Sequence, residues 1–252
     1  MPVEWCYDDP LPAAERYRAA RIAPLGLAGY NNWSRFLPDF REGKRNIARW
    51  TTAARRMGSA GFGASQWGDD GYENSRDLCW NLFACNAEAA WRGRAPAADF
   101  ECRFQTVFYG RSLPPLRRLI EREQTRRRIP PPASRRLFRT PFAGLVRLTQ
   151  THPGLAARAA ADERLATRML RLTASAQRLA RRETEQLDAF KVALERERLV
   201  SRRLLLAARL AREGAKLTEA SRRAAREHLR EHARVRALYR QDWLRRNKRP
   251  NI

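Results

Sequence analysis

Ser59-Ala60-Gly61-Phe62-Gly63-Ala64-Ser65-Gln66-Trp67-Gly68-Asp69-Asp70-Gly71-Tyr72 reads as a short Gly/Ala-rich strand that stops abruptly at an indole beside two carboxylates. Such an ending suits a sugar. An indole face covers the apolar face of a pyranose, a neighbouring carboxylate accepts hydrogen bonds from its hydroxyls, and flanking glycines let the backbone turn without steric penalty. A plainer reading of the same residues is a buried Trp67 ahead of a Gly-Asp turn. Gly58-Ser59-Ala60-Gly61-Phe62-Gly63 is not a phosphate loop, because it enters a strand instead of linking strand to helix, and no Lys-Ser/Thr follows. Those glycines fit close packing of helix on strand.

Two similar units precede this strand. Pro2 to Tyr7 is read as a strand and Pro12 to Ile22 as a short helix; Leu25 to Tyr30 is a second strand, followed by the loop Asn31-Asn32-Trp33. A helix is expected from about Pro38 to Met57, with Ile47, Trp50, Ala54 and Met57 on one face, and another from about Glu73 to Trp91 after the strand Phe62 to Gln66. This alternation predicts βα units around a parallel sheet. Three successive strand ends then carry an aromatic and polar cluster: Tyr7-Asp8-Asp9, Tyr30-Asn31-Asn32-Trp33 and Trp67-Gly68-Asp69-Asp70. In a β/α barrel that end is the active-site face.

Beyond residue 98 the pattern is helical. Phe100, Phe104, Val107 and Phe108 form an aromatic stripe, Leu116 to Gln124 reads as a helix, and Pro130-Pro131-Pro132 as a rigid break. From Pro153 two long helices are expected, separated near Gly214. Leu165, Met169, Leu172, Ala176 and Leu179 form a packing seam that Leu187, Phe190 and Leu194 resume after a polar interruption. The domains so read are 1–97, the βα units; 98–150, a helical connection with the Pro-rich break; and 151–252, Arg-rich long helices.

Charge divides the chain in the same place. Residues 1–100 carry 13 Lys/Arg against 12 Asp/Glu, and residues 101–252 carry 38 against 15, so the net charge of +24 belongs almost wholly to the helical part. A solvated, Arg-rich helix face accounts for it, with nonspecific binding of nucleic acid or another polyanion as the functional alternative. No helix-turn-helix, zinc-finger or RNA-recognition signature accompanies the charge. Cys6, Cys79, Cys85 and Cys102 show no CxxC pairing and read as reduced, mostly buried thiols. With no leader and no stretch of about 18 apolar residues, the chain as written is expected to be soluble and cytoplasmic, without a membrane span.

His228-Leu229-Arg230-Glu231-His232 matches the H-x-x-E-H pattern of inverted zinc peptidases. Arg226, Arg230 and Arg234 surround it and would repel a dication, His152 is the only other histidine, and the pair shares phase with Val235 and Tyr239 on a packing face. Structural histidines, and no metal, are expected.

Trp33, the Asn46-Ile47 pair in the following helix, the Trp67-Gly68-Asp69-Asp70-Gly71 turn and the aromatic helix after it stand in an order that resembles the last strands of the catalytic barrel in glycoside hydrolase family 20, the β-N-acetylhexosaminidases. The closing Trp243-Leu244-Arg245-Arg246-Asn247-Lys248-Arg249-Pro250 is similar to the Trp-Leu-x-Arg-Asn-Arg-Pro of bacterial relatives, with one residue inserted. The resemblance implies an α/β then all-α fold: the last strands of an incomplete (β/α)8 barrel followed by a long-helix C-terminal domain. It implies as ligand a carbohydrate with a terminal N-acetylhexosamine. Trp67 would stack on the sugar, Asp69 would replace the Glu that binds distal hydroxyls, with Asp70 beside it, and Trp33 would supply a further wall. Tyr7 and Asp9 would correspond to the Tyr-x-Asp pair that holds the 2-acetamido group, and Tyr72 replaces a usual His.

Family 20 enzymes catalyse with an adjacent Asp-Glu pair at the end of an earlier strand, the Glu as general acid and the Asp orienting the substrate's own acetamido oxygen. No strand here ends in Asp-Glu. The one such pair, Asp162-Glu163, falls in an Ala/Arg-rich helix and reads as ordinary N-terminal helix charge. The expectation is therefore a C-terminal portion of a hexosaminidase-like protein, from a truncated gene or misassigned start, with sugar-binding residues, no catalytic residues and no cofactor.

Overall fold

The computed structural model describes residues 1–30, 32–68, 74–214 and 217–247. Among them are three strands and ten α-helices, and the structure is 71% helical. The chain forms two compact units: Met1–Trp33, Leu37–Glu121 and Leu179–Thr184 make the first; Ser34–Phe36, Arg122–Arg178 and Glu185–Ile252 make the second.

In the first unit, β1 (Val3–Trp5), α1 (Leu11–Ala19), β2 (Leu25–Gly29), α2 (Phe40–Arg56) and β3 (Gly61–Ser65) alternate as the hydrophobic pattern requires. A 3-10 turn at Arg76–Cys79 leads into α3 (Trp80–Arg92), and α4 (Phe100–Tyr109) and α5 (Pro114–Arg118) follow. The strands are parallel in the order β1-β2-β3, with Val3 opposite Leu25, Trp5 opposite Leu27 and Gly29 opposite Ser65. In a sequential parallel order the usual right-handed crossover puts the connecting helices on one side of the sheet; here α1 packs beside α2, and α2 and α3 pack on the strands.

The sequence makes α2 a helix at every level. The Asp39 carboxylate accepts the Glu42 N–H at 3.1 Å, Glu42 occupies the first turn, and Arg55 and Arg56 the last, complementing the helix dipole. Phe40, Ile47, Trp50 and Ala53, spaced to share one face, are fully buried. Trp50 lies on β2 where a Cβ at Gly26 would come within 3.0 Å of its ring, so glycine there admits the indole. Removing roughly 200 Å² of indole from water contributes at most about 5 kcal/mol. The opposite face of the sheet is more open: Val3 and Trp5 are exposed, Leu25 and Leu27 half-buried.

The barrel expectation is corrected. Three strands form an open sheet with two edges, whereas a (β/α)8 barrel closes eight tilted strands on themselves. Among the described residues beyond Ser65 every regular element is a helix, so nothing continues the sheet.

The second unit holds α6 (Pro131–Arg139), α7 (Phe142–Thr151), α8 (Gly154–Leu179), α9 (Thr184–Glu213) and α10 (Glu219–Arg246). The proline run opens α6, with Pro131 at the first helical position where no N–H is needed. Three long helices stand where two were expected. The polar interruption at 180–183 is a turn, with Glu183 at φ 53°. Leu165, Met169 and Ala176 of α8 and Leu187, Phe190 and Leu194 of α9 are buried as the seam pattern required. Arg196 is 5% exposed, and its guanidinium carbon lies 4.1 Å from the Phe36 ring centre, 4.8 Å from Tyr239 and 5.0 Å from Phe138. The ring quadrupoles help to hold a cation so desolvated. No helix among the described residues is long and apolar enough to cross a membrane.

Candidate functional site

The carboxyl ends of the three strands gather four aromatic rings. Trp5 ends β1 and meets Tyr7 edge to face, ring centres 5.0 Å apart; Trp67 lies 5.8 Å from Trp5 on one flank, and Trp33 lies 6.1 Å from Tyr7 on the other. The result is a continuous row, Trp67–Trp5–Tyr7–Trp33. Its three indoles remain 46%, 41% and 38% exposed for Trp67, Trp5 and Trp33, far from the full burial that the plainer reading of Trp67 requires.

Polar groups fix two of the rings, Trp5 and Trp67, by their edges. The Ser65 hydroxyl accepts the indole N–H of Trp5 at 2.9 Å and of Trp67 at 3.2 Å, and donates to the Ala28 carbonyl at 3.2 Å. That uses both acceptor positions and the single proton of a hydroxyl. Asn32 donates to the Trp67 carbonyl at 2.9 Å and accepts its N–H at 3.4 Å; Asn74 in turn donates to the Asn32 carbonyl. The Tyr7 ring lies against Gly29, where any Cβ would overlap it.

Asn46, 2% exposed on α2, ties the end of β2 to the chain leaving β1. Its Oδ1 accepts the Gly29 N–H at 2.9 Å, and its Nδ2 faces the carbonyls of Tyr7 (2.8 Å), Cys6 (3.2 Å) and Asp8 (3.4 Å). Trp50 adds an indole N–H to the Cys6 carbonyl at 3.1 Å. A side-chain amide thus supplies both donor and acceptor where two strand ends leave backbone groups unpaired.

Of the expected site residues, Tyr7, Trp33 and Trp67 come together. Asp9 instead receives the Leu11 N–H at 3.1 Å, forming the turn that opens α1. Asp69 and Asp70 lie outside the described residues, as does Tyr72. Trp5 and Ser65 were missed. Strand alternation contained the signal for both: Trp5 is two residues before Tyr7, and Ser65 two before Trp67, which puts each on its neighbour's face.

The two motifs in the helical part have other work. Both Asp162 carboxylate oxygens accept backbone N–H groups, from Arg128 and Ile129, each at 2.8 Å, and burial raises the Asp162 pKa. Glu163 receives two Arg202 nitrogens at 3.0 Å. The pair anchors a loop and an arginine. In the H-x-x-E-H segment, Glu231 accepts Arg202 at 2.6 Å and His232 stacks on Phe138 with ring centres 6.5 Å apart. Burial first, then Arg203, His232 and Arg202, push the His228 pKa down to about 4. No group of three or more potential metal ligands occurs among the described residues.

No family model matches this sequence, and no curated protein matches it.

Proposed function

We propose that the row Trp67–Trp5–Tyr7–Trp33 binds a saccharide ending in an N-acetylhexosamine, as the non-catalytic share of a family 20-like glycoside hydrolase. The single observation that carries this reading is a row of three exposed indoles, two of which, Trp5 and Trp67, have their N–H edges pinned by Ser65, with Asn32 holding the Trp67 backbone. Rings held this way give up little conformational freedom on binding, and their faces match the C–H face of a pyranose. The sugar and the reaction class come from the family resemblance. Catalysis is not assigned to this chain: Asp162 and Glu163, its one adjacent Asp-Glu pair, are occupied by backbone amides and by Arg202.

Titration of the chain with N-acetylglucosamine and N-acetylgalactosamine, followed by tryptophan fluorescence, tests the proposal. A saturable change in the millimolar range is expected, weakened about tenfold or more in Trp67→Ala. The affinity should hold between about 50 and about 200 mM salt, where phosphate-driven binding would fall steeply. No saturable change, or an unaltered Trp67→Ala titration, would overturn it.

A further inference from the structure

A cavity of about 740 Å³ lies in the second unit between α9 and α10, lined by Arg198, Arg202, Arg209, Arg230, Arg234 and His228 together with the carboxylates of Glu227 and Glu231. Five guanidinium groups line it against two carboxylates, and Glu195 and Glu163 just behind the lining bring the acids to four, which leaves a small excess of cation carried by Arg209 and Arg230. Three of the arginines are held in place by carboxylates, from behind by Glu195 and Glu163 and from within the cavity by Glu231. Arg198 and Arg234 reach Glu195 at 2.6 and 2.8 Å, and Arg202 reaches Glu163 and Glu231. Arg209, which acts on Glu213 only at a distance, and Arg230 are exposed and make no close ion pair among the described residues. The Nε of Arg198 is buried without a hydrogen-bond acceptor. An oxyanion in the cavity would supply the acceptor that this donor lacks, since a guanidinium cannot shed its proton.

We propose that this cavity is a binding site for a compact polyphosphate, held by Arg209 and Arg230 at its rim and by the pre-positioned Arg198, Arg202 and Arg234 within. Arginine suits the task because its planar fork matches two phosphate oxygens at once. The concave placement between two helices favours a small multivalent anion over the extended backbone of a duplex, which needs its cations on a convex or grooved exterior that follows the strand. His228 agrees with the geometry: burial first, then Arg203, His232 and Arg202, hold its imidazole neutral, and the arginine share of that effect is what a bound anion would offset. The site lies wholly in the second unit, so it stands or falls independently of the saccharide face.

Calorimetric titration of the full chain with sodium tripolyphosphate tests the assignment. One saturable site with Kd below about 100 μM is expected. Arg209→Ala combined with Arg230→Ala should weaken it by at least about tenfold, since two charge-assisted contacts are lost. Both positions are exposed, so the fold is not at stake. Arg223→Ala with Arg236→Ala removes the same charge from exposed α10 positions outside the cavity and should change the affinity less than about threefold. Tripolyphosphate should also raise the His228 pKa, read from its imidazole proton resonances. Equal losses in the two double variants, a His228 resonance indifferent to the anion, or duplex DNA binding that outcompetes tripolyphosphate and ignores Arg209 and Arg230 would each overturn the site in favour of diffuse surface charge.

Discussion

Replacing Asn46 by Ala isolates the contact that joins two strand ends, and its cost can be worked from the geometry. The variant leaves the buried Gly29 N–H without its 2.9 Å acceptor, and an unsatisfied buried amide costs about 1–3 kcal/mol. The 2.8 Å bond to the Tyr7 carbonyl contributes about 1 kcal/mol more. The Cys6 carbonyl keeps the Trp50 indole at 3.1 Å, and the Asp8 bond at 3.4 Å is long, so neither adds much. The sum is about 3 kcal/mol, which in a unit of this size lowers Tm by roughly 10 °C. Thermal and urea unfolding followed by circular dichroism would read it. Asn46→Asp sharpens the test, because the new carboxylate can still accept from Gly29 but presents an acceptor to three carbonyls. At neutral pH it should cost at least as much as Ala, and it should recover as acid protonates it and restores a donor. Saccharide affinity should fall in both, since the Tyr7 segment loses its anchor. A cost below about 1 kcal/mol for Asn46→Ala, or a neutral-pH Asn46→Asp as stable as the parent, would refute the account.

Gly29→Ala should displace the Tyr7 ring, cost about 1–3 kcal/mol and weaken N-acetylglucosamine binding, measured by the same fluorescence titration. Arg196→Lys should lose about 2 kcal/mol in urea unfolding, because an ammonium cannot lie flat among Phe36, Phe138 and Tyr239. Arg103 first, then Arg92 and the Ala97 N–H, hold the Glu88 pKa at about 2 against an ordinary 4.5. A depressed carboxylate stabilises the fold above pH 4.5 and loses that contribution as pH falls toward 2, so Glu88→Gln should flatten the stability profile in that window. His228 gives a separate window. Its folded pKa is about 4 against 6.5 unfolded, so the unfolded chain takes up the proton first and stability falls as pH drops from 6.5 to 4. His228→Gln should remove that slope and leave the lower one.

Local chemistry was legible in the sequence wherever one residue type had one use. The spacing of Ile47 and Trp50 located α2 and its buried face, and the Gly/Ala run located β3. The barrel was not there to be read, because βα alternation specifies a parallel sheet but not how many strands continue it. The interruption before Thr184 was ambiguous for a similar reason: Leu179 and Leu187 keep a common phase whether the helix runs through or turns back. In the site, the aromatics at the strand ends were visible because exposed rings beside turns are unusual. The roles of Ser65 and Asn46 were hidden, because a serine in a strand and an asparagine in a helix say nothing until the strand register sets Ser65 opposite Gly29.

Asp9 and the Asp162-Glu163 pair show why the carboxylates were harder to place than the rings. An aspartate beside unpaired backbone, at a helix start or against a loop, can serve a ligand or the backbone, and the backbone N–H groups there always need an acceptor. Asp9 meets that need at Leu11, and Asp162 meets it at Arg128 and Ile129. An indole has no comparable backbone demand: once Ser65 has accepted the N–H of Trp5 or Trp67, the ring face has no polar obligation left within the chain. Its exposure therefore bears on ligand binding more directly than that of a neighbouring carboxylate. This is why the saccharide proposal rests on the row of rings, and why removing Trp67 tests it more cleanly than removing Asp9, whose loss would unsettle the start of α1 whether or not a sugar binds.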